Sequence, residues 1–281
     1  MRAFRTCVIA LIATVMTVVA APLSRAQQPV DLELILAVDV SWSMDLDEQQ
    51  LQRDGYLAAL RDPEVWKAIS GGGHGRITLM YVEWAGQYIQ EIVVPWILID
   101  SPAALEGFAS RLEKAAISRH RMTSLSGAIS FSASQFGSAG YRGVRKVIDV
   151  SGDGPNNSGG PVEVARDEAV KQGIVINGLP IILKPDHRSG FFDIRDLDAY
   201  YKDCVIGGFG SFVIPVRARS EFAPAIRRKL ILEIAGLSPG SFGDARIFRI
   251  QAGPQSMPEA RSDCMTGEKL WRLYIDGRFR E

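Results

Sequence analysis

Residues 31–40 read DLELILAVDV, and Ser41, Trp42 and Ser43 follow directly. The run is mostly apolar, carries β-branched side chains and is too short for a stable helix. It therefore predicts a strand buried on both faces, of the kind found inside parallel sheets. Its last residues change character. Asp39 puts a carboxylate at the strand end, and Ser41 and Ser43 put two hydroxyls at alternate positions on the turn that leaves it.

Working outward, the chain alternates between strand and helix signals. Residues 45–61 space Leu46, Leu51, Leu57 and Leu60 among polar residues, as an amphipathic helix does. Pro63 and the Gly71, Gly72, Gly73 run predict a loop. Residues 76–83 and 88–96 read as two strands joined at Ala85 and Gly86, a hairpin. Ser101 and Pro102 start a helix that runs to about residue 116. Helices are then expected over 124–136 and 161–172, the latter ended by Gly173, with strands over 145–150 (RKVIDV) and 174–182. A short helix over 196–203, a last strand over 211–215 and a helix over 221–235 close the pattern. In that last helix Phe222, Ala225, Ile226, Leu230, Ile231 and Ile234 share one apolar face. A short apolar stretch over 269–275 reads as a strand packing back onto the domain.

Strands alternating with helices imply an α/β, doubly wound, mostly parallel sheet with helices on both faces. The hairpin adds one antiparallel edge strand. The expected division is a signal peptide over 1–26, the α/β domain over 31–235 and a C-terminal extension over 236–281 that packs on it. The signal rests on Arg2 and Arg5 before an apolar stretch over 8–21, with Ser24, Arg25 and Ala26 forming a small-x-small cleavage site. That stretch is shorter than the roughly 20 apolar residues of a membrane span and is interrupted by Thr14 and Thr17, with Pro22 just after it. Cleavage near Ala26 with export to the periplasm or the exterior is the expectation, and an uncleaved anchor is the alternative. Cleavage would remove Cys7 and leave Cys204 and Cys264, which in an oxidising compartment either bridge or stay as thiols.

The whole-chain formal charge is zero, so removing Arg2, Arg5 and Arg25 leaves about −3. Nothing in that balance points to nucleic acid, or to a membrane once the signal is gone. An all-oxygen set of Asp39, Ser41 and Ser43 suits a hard cation, Mg²⁺ foremost, with Ca²⁺ or Mn²⁺ as alternatives. His74, His120 and His187 are scattered and lack zinc-ligand spacing. In doubly wound folds ligands sit outside the carboxyl ends of the strands, which is where this motif falls.

Asp39, Ser41 and Ser43 match the Asp-x-Ser-x-Ser signature of von Willebrand factor A domains, the metal-ion-dependent adhesion site also seen in integrin inserted domains. That family adds a Thr from a second loop and an Asp from a third. Thr123 lies just before the helix over 124–136, and Asp153 follows the RKVIDV strand. The resemblance spans roughly residues 31–235 and is nearer still to exported bacterial proteins of this class with no assigned function. It implies that Ser41 and Ser43 coordinate the cation, that Thr123 does so directly or through water, and that Asp39 and Asp153 hold coordinated waters. It further implies a non-enzymatic adhesion or assembly domain whose partner protein offers an Asp or Glu carboxylate as the remaining ligand. In switching members of the family the last helix slides; here the apolar face over 221–235 equally suits simple packing.

Each residue also has a plainer duty. Asp39, Ser43 or Thr123 could cap a helix, and Asp153 with Gly154 could be only a turn. The competing functions are a metal-dependent phosphate-ester hydrolase, with Asp39 as nucleophile, and a structural domain with a vestigial site. Gly71 to Gly75 precedes a strand and so does not suit a phosphate-cradling loop. Asn156, Asn157 and Ser158 fit a glycosylation pattern that a bacterial-type exported chain gives little reason to use. Arg119, His120 and Arg121 are either a solvated loop or a lure for an acidic ligand, and Trp42 is either a core anchor or an exposed contact.

Overall fold

A computed structural model describes residues 27–138, 140–183, 194–239 and 261–277. Strand β1 (Gln28–Asp39) lies at the centre of a sheet and is buried almost throughout. Leu32, Leu34, Leu36 and Val38 point into one core, and Ile35 and Ala37 into the other. This is why the run is continuously apolar instead of alternating. β1 pairs in parallel with β2 (Ile77–Trp84) on one side and β4 (Tyr141–Gly152) on the other. β5 (Ile174–Pro180) continues in parallel beside β4, and β3 (Gln90–Ile99) is antiparallel to β2 at the opposite edge. Among the described residues the strand order is β3-β2-β1-β4-β5. The expected doubly wound fold is present.

Helices cover both faces. α1 (Leu46–Leu60), α2 (Pro63–Ser70), α3 (Pro102–Lys114) and α7 (Phe222–Ala235) supply Tyr56, Ile69, Phe108 and Ile226 to the first core. α4 (Leu125–Gln135), α5 (Val162–Lys171) and α6 (Leu197–Tyr200) supply Ile129, Val162 and Tyr200 to the second. α6 runs directly into a π-helical turn, Tyr201–Val205. No described helix is long and apolar enough to cross a membrane.

Three expectations are corrected. Pro63 does not open a loop: it is the first residue of α2, whose N-cap Asp62 accepts a hydrogen bond from the Glu64 amide at 2.9 Å. Residues 211–215 form no strand. They run beside β5 through isolated pairings of Gly178 with Val213 and Ile181 with Val216. The stretch expected as a strand over 269–275 lies instead in a helix, α8 (Thr266–Ile275), with Lys269, Arg272 and Tyr274 exposed. The expected signal over 1–26 lies outside the described residues, as does 240–260 of the C-terminal extension.

α7 is fixed to the sheet by buried charge. Lys229 lies 2.5 Å from Asp149 of β4 and 2.6 Å from Glu233 of its own helix, all three buried. Asn177 of β5 donates to Glu233 at 2.9 Å. Arg145 of β4 donates to the Glu233 and Ile234 carbonyls at 2.7 Å each, satisfying acceptors that the helix end leaves open. Gly236 then ends α7 at φ +68°, a left-handed turn that a side chain would strain.

Candidate metal centre

β1 and β4 are parallel neighbours, with Val38 opposite Ser151, so the loops after them leave the same carboxyl edge together. Asp39, the last residue of β1, is fully buried, and its Oδ1 accepts a hydrogen bond from the Ser41 amide at 2.7 Å. The Ser41 and Ser43 hydroxyls are 2.8 Å apart. Ser43 donates to Asp153 Oδ1 at 2.6 Å. Because Ser43 spends its proton on Asp153, Ser41 is the donor to Ser43, and the chain of hydroxyls points its protons toward Asp153. Two loops 110 residues apart in sequence are thereby joined side chain to side chain.

Thr123 reaches the same rim from a third loop. Its segment is stitched to the first by a hydrogen bond from the His120 amide to the Val40 carbonyl, at 3.0 Å. The Thr123 amide donates to Asn157 Oδ1 and its carbonyl accepts from the Asn157 amide, both at 2.8 Å, which binds it to the Asp153 loop. A methyl group on Gly154 would lie 3.9 Å from Thr123 Oγ1 and 4.0 Å from Thr123 Cγ2, so the Thr123 side chain sits beside the residue after Asp153. Met122, just before it, sits at φ +71°. For a residue with a side chain that conformation costs about 1–2 kcal/mol, and the surrounding contacts must hold it.

The plainer duties fall to other residues. Asp45 caps α1, accepting from the Glu48 amide at 2.8 Å while Glu48 returns a bond to the Asp45 amide. Ser124 caps α4, accepting from the Gly127 amide at 3.1 Å. Neither Ser43 nor Thr123 is an N-cap, and Asp153 does more than shape a turn, since it accepts the Ser43 proton.

Electrostatics at the rim favour a cation. Asp39 Oδ2 is buried and has no hydrogen-bond partner among the described residues. Burial holds the Asp39 carboxyl well above the usual carboxylate range, and the like charge of Asp153 pushes it in the same direction. Two carboxylates, three hydroxyls and an unpartnered carboxylate oxygen suit a hard ion. Among the described residues no three His, Cys, Asp or Glu side chains gather, so hydroxyls make up much of the donor set at this rim. Beneath the site, Gly152 keeps the space clear: a methyl there would come within 2.8 Å of Asp39 Oδ2 and 3.0 Å of the Tyr201 hydroxyl.

Trp42 stands outside the core, 51% exposed. The guanidinium carbons of Arg121 and Arg119 lie 5.0 and 5.9 Å from its ring centroid, within cation–π range. Arg119 also donates to the Trp42 and Met44 carbonyls at 3.2 Å each. The rim therefore carries an aromatic and cationic border. Sequence reasoning missed Gly152, Asn156, Asn157 and Tyr201. Of these only the Asn156, Asn157 pair left a visible signal, and it resembled a glycosylation site.

Comparison with solved structures shows the same fold at low identity. Proximal thread matrix protein 1 from the mussel byssus superposes with a TM-score of 0.55 at 13% identity, covering 74% of this chain and 48% of that one. A further structure of that protein, described as having a zinc-occupied MIDAS motif, gives a TM-score of 0.50 at 14% identity, covering 74% and 49%. The pilus adhesin SpaC from Lactobacillus rhamnosus GG gives 0.53 at 11% identity, covering 74% of this chain and 31% of that one. The chain thus spans about half the length of the mussel protein and about a third of the adhesin. Comparison with curated protein sequences gives no significant match. The fold is that of a von Willebrand factor A domain. Residues 29–238 match the family described as "Protein of unknown function (DUF1194)", and the chain belongs to that family.

Proposed function

We propose that this chain is an exported, non-enzymatic protein-binding domain for adhesion or assembly, which grips a partner's Asp or Glu carboxylate through one divalent cation. The observation that carries the reading is the hydrogen-bonded series Ser41, Ser43, Asp153 beside the buried, half-unpartnered Asp39 carboxylate, at the edge of the sheet where ligands of such folds bind. Ser41, Ser43 and Thr123 would offer hydroxyl lone pairs to the ion, while Asp39 and Asp153 would supply balancing charge and hold those hydroxyls in place. When bound, Mg²⁺, or alternatively Ca²⁺ or Mn²⁺, supplies a hard centre that accepts one more oxygen ligand from outside.

The chain's own residues favour recognition over hydrolysis. Asp39, the candidate nucleophile of a hydrolase, is fully buried with Oδ1 held by the Ser41 amide, which disfavours attack on a substrate atom. Arg119 and Arg121 on the Trp42 ring border the rim with positive charge, which attracts an acidic partner within a screening length of about 10 Å. That the chain is exported is supported by the signal-like residues 1–26 and by the disulfide between Cys204 and Cys264, which suits an oxidising compartment.

The test is a capture experiment. The immobilised mature chain is exposed to envelope extract in Mg²⁺ or in EDTA, beside Asp39→Ala and Thr123→Ala. The reading expects proteins retained in Mg²⁺, released by EDTA and absent from both variants. Equal capture in EDTA, or by both variants, overturns it.

A further inference from the structure

The C-terminal segment is fastened beside the rim at several points. Cys264 is bridged to Cys204 in the π-helical turn that begins with Tyr201. Asp203 Oδ2 accepts from the Ser262 amide at 2.7 Å, and Arg261 donates to the Asp203 carbonyl at 3.1 Å. From this anchor the chain enters α8, whose first turn lies against the loop that carries Asp153. A methyl on Gly267 would fall 2.0 Å from the Asn156 carbonyl oxygen and 3.2 Å from Pro155 Cβ, so only glycine allows this approach. Glu268 Oε1 accepts from Asn156 Nδ2 at 2.6 Å. The Tyr200 hydroxyl accepts from the Asn156 amide at 3.2 Å and donates to the Cys264 carbonyl at 3.3 Å.

Asn156 is the node where these contacts meet. It is fully buried, three residues after Asp153, and its Oδ1 accepts from the Ser126 amide at 3.0 Å in the first turn of α4. Its neighbour Asn157 clasps Thr123 from both sides. The C-terminal segment therefore bears on the loops of both Asp153 and Thr123, from outside the family-matched residues 29–238. Glu268 turns the Asn156 amide so that its oxygen faces Ser126; without that acceptor one of the two Nδ2 protons, both now satisfied by Glu268 and Gly160, is stranded in a buried site.

We infer that the disulfide-held C-terminal segment is a clamp on the cation site, with Asn156 and Glu268 as positioning residues for Asp153 and Thr123. This rests on the metal-binding reading above. α8 is tethered through the chain in any case; the bridge shortens that tether to the few residues after Cys264 and so raises the effective concentration of α8 at its seat. Opening it leaves the seat to non-covalent contacts alone, so cation affinity becomes dependent on the redox state of Cys204 and Cys264. Outer partners of this kind are typically worth about 10- to 100-fold in metal affinity.

The test uses the mature chain, with Mn²⁺ alone as probe, by calorimetric titration. Oxidised wild type, reduced wild type, Glu268→Ala and Glu268→Gln are compared, with thermal melting of each. Glu268→Ala and reduction should each weaken Mn²⁺ binding about tenfold or more. Glu268→Gln, which keeps an oxygen for Asn156, should restore it, and Glu268→Ala should melt close to wild type. Amide exchange over residues 153–158 is followed in parallel without metal, and should quicken on reduction and in Glu268→Ala. Affinities all within twofold of oxidised wild type overturn the clamp. If oxidised wild type binds no Mn²⁺, the metal reading fails and the clamp falls with it; if it binds Mn²⁺ but exchange over 153–158 does not quicken on reduction or in Glu268→Ala, the clamp alone falls.

Discussion

Replacing Lys229 by methionine keeps most of the side-chain volume and removes the one ammonium between Asp149 and Glu233. In the wild type that ammonium lies 2.5 and 2.6 Å from the two carboxylates, in a site with no appreciable exposure. Removing one partner of a buried ion pair costs roughly 3–5 kcal/mol, because the remaining charge has neither water nor counter-ion. For a domain of this size 1 kcal/mol moves the melting temperature by about 2–4 °C, so the loss should be on the order of 10 °C. The sign of its pH dependence follows from burial, which raises both carboxyls, with the Lys229 charge opposing the rise at each. Without Lys229 both rise further. A carboxyl with a raised folded pKa contributes most stability below its unfolded value, and that contribution is lost as pH rises through the folded one. The gap between variant and wild type should therefore widen from pH 5 to pH 8, by on the order of 2 kcal/mol. Denaturant unfolding at both pH values measures it. A gap under about 1 kcal/mol at pH 8, or one indifferent to pH, would refute the assignment of α7 as an electrostatically pinned helix.

Glu233→Gln tests the same cluster from the other side. Burial pushes Glu233 up to about 7, so its stabilisation is complete near pH 4 and disappears as pH passes 7; the glutamine variant should show a flatter stability profile between pH 5 and 8. Trp42→Ala should change stability by less than about 0.5 kcal/mol, since half of the ring is exposed, yet should reduce Mg²⁺-dependent capture from envelope extract. Destabilisation well beyond that bound, seen in a thermal melt, would make Trp42 a structural residue instead of a border contact.

The central strand could be read from sequence because burial on both faces leaves a mark that needs no partner to interpret. Its apolar run, and the helix face of Phe222, Ile226 and Leu230, are properties of single segments. α2 was hidden because Pro63 and Gly71 are both punctuation, and only the capping role of Asp62 turns the first into a helix start. The stretch from Leu270 to Ile275 is short and apolar with aromatics, where strand and helix cannot be told apart by period alone. The motif at Asp39, Ser41 and Ser43 was legible because it is contiguous, and Thr123 and Asp153 because they stand at predictable element ends. Asn156, Tyr201 and Glu268 were not. They matter through hydrogen bonds and packing set by tertiary structure, and Glu268 lies 112 residues from the Asn156 side chain it holds.

The most direct test of the cation site is a Mg²⁺ titration of the metal-stripped chain, read as melting temperature, beside Asp39→Asn. At a concentration about 100 times the dissociation constant, binding to the folded state alone adds about 2.7 kcal/mol, a rise of several degrees. The wild type should show that rise. Asp39→Asn keeps an oxygen for the Ser41 amide but relieves the repulsion with Asp153. It should melt no lower than wild type in EDTA and gain nothing from Mg²⁺. A wild type indifferent to Mg²⁺, with Asp39→Asn melting lower in EDTA, would mean that Asp39 serves the fold and not an ion.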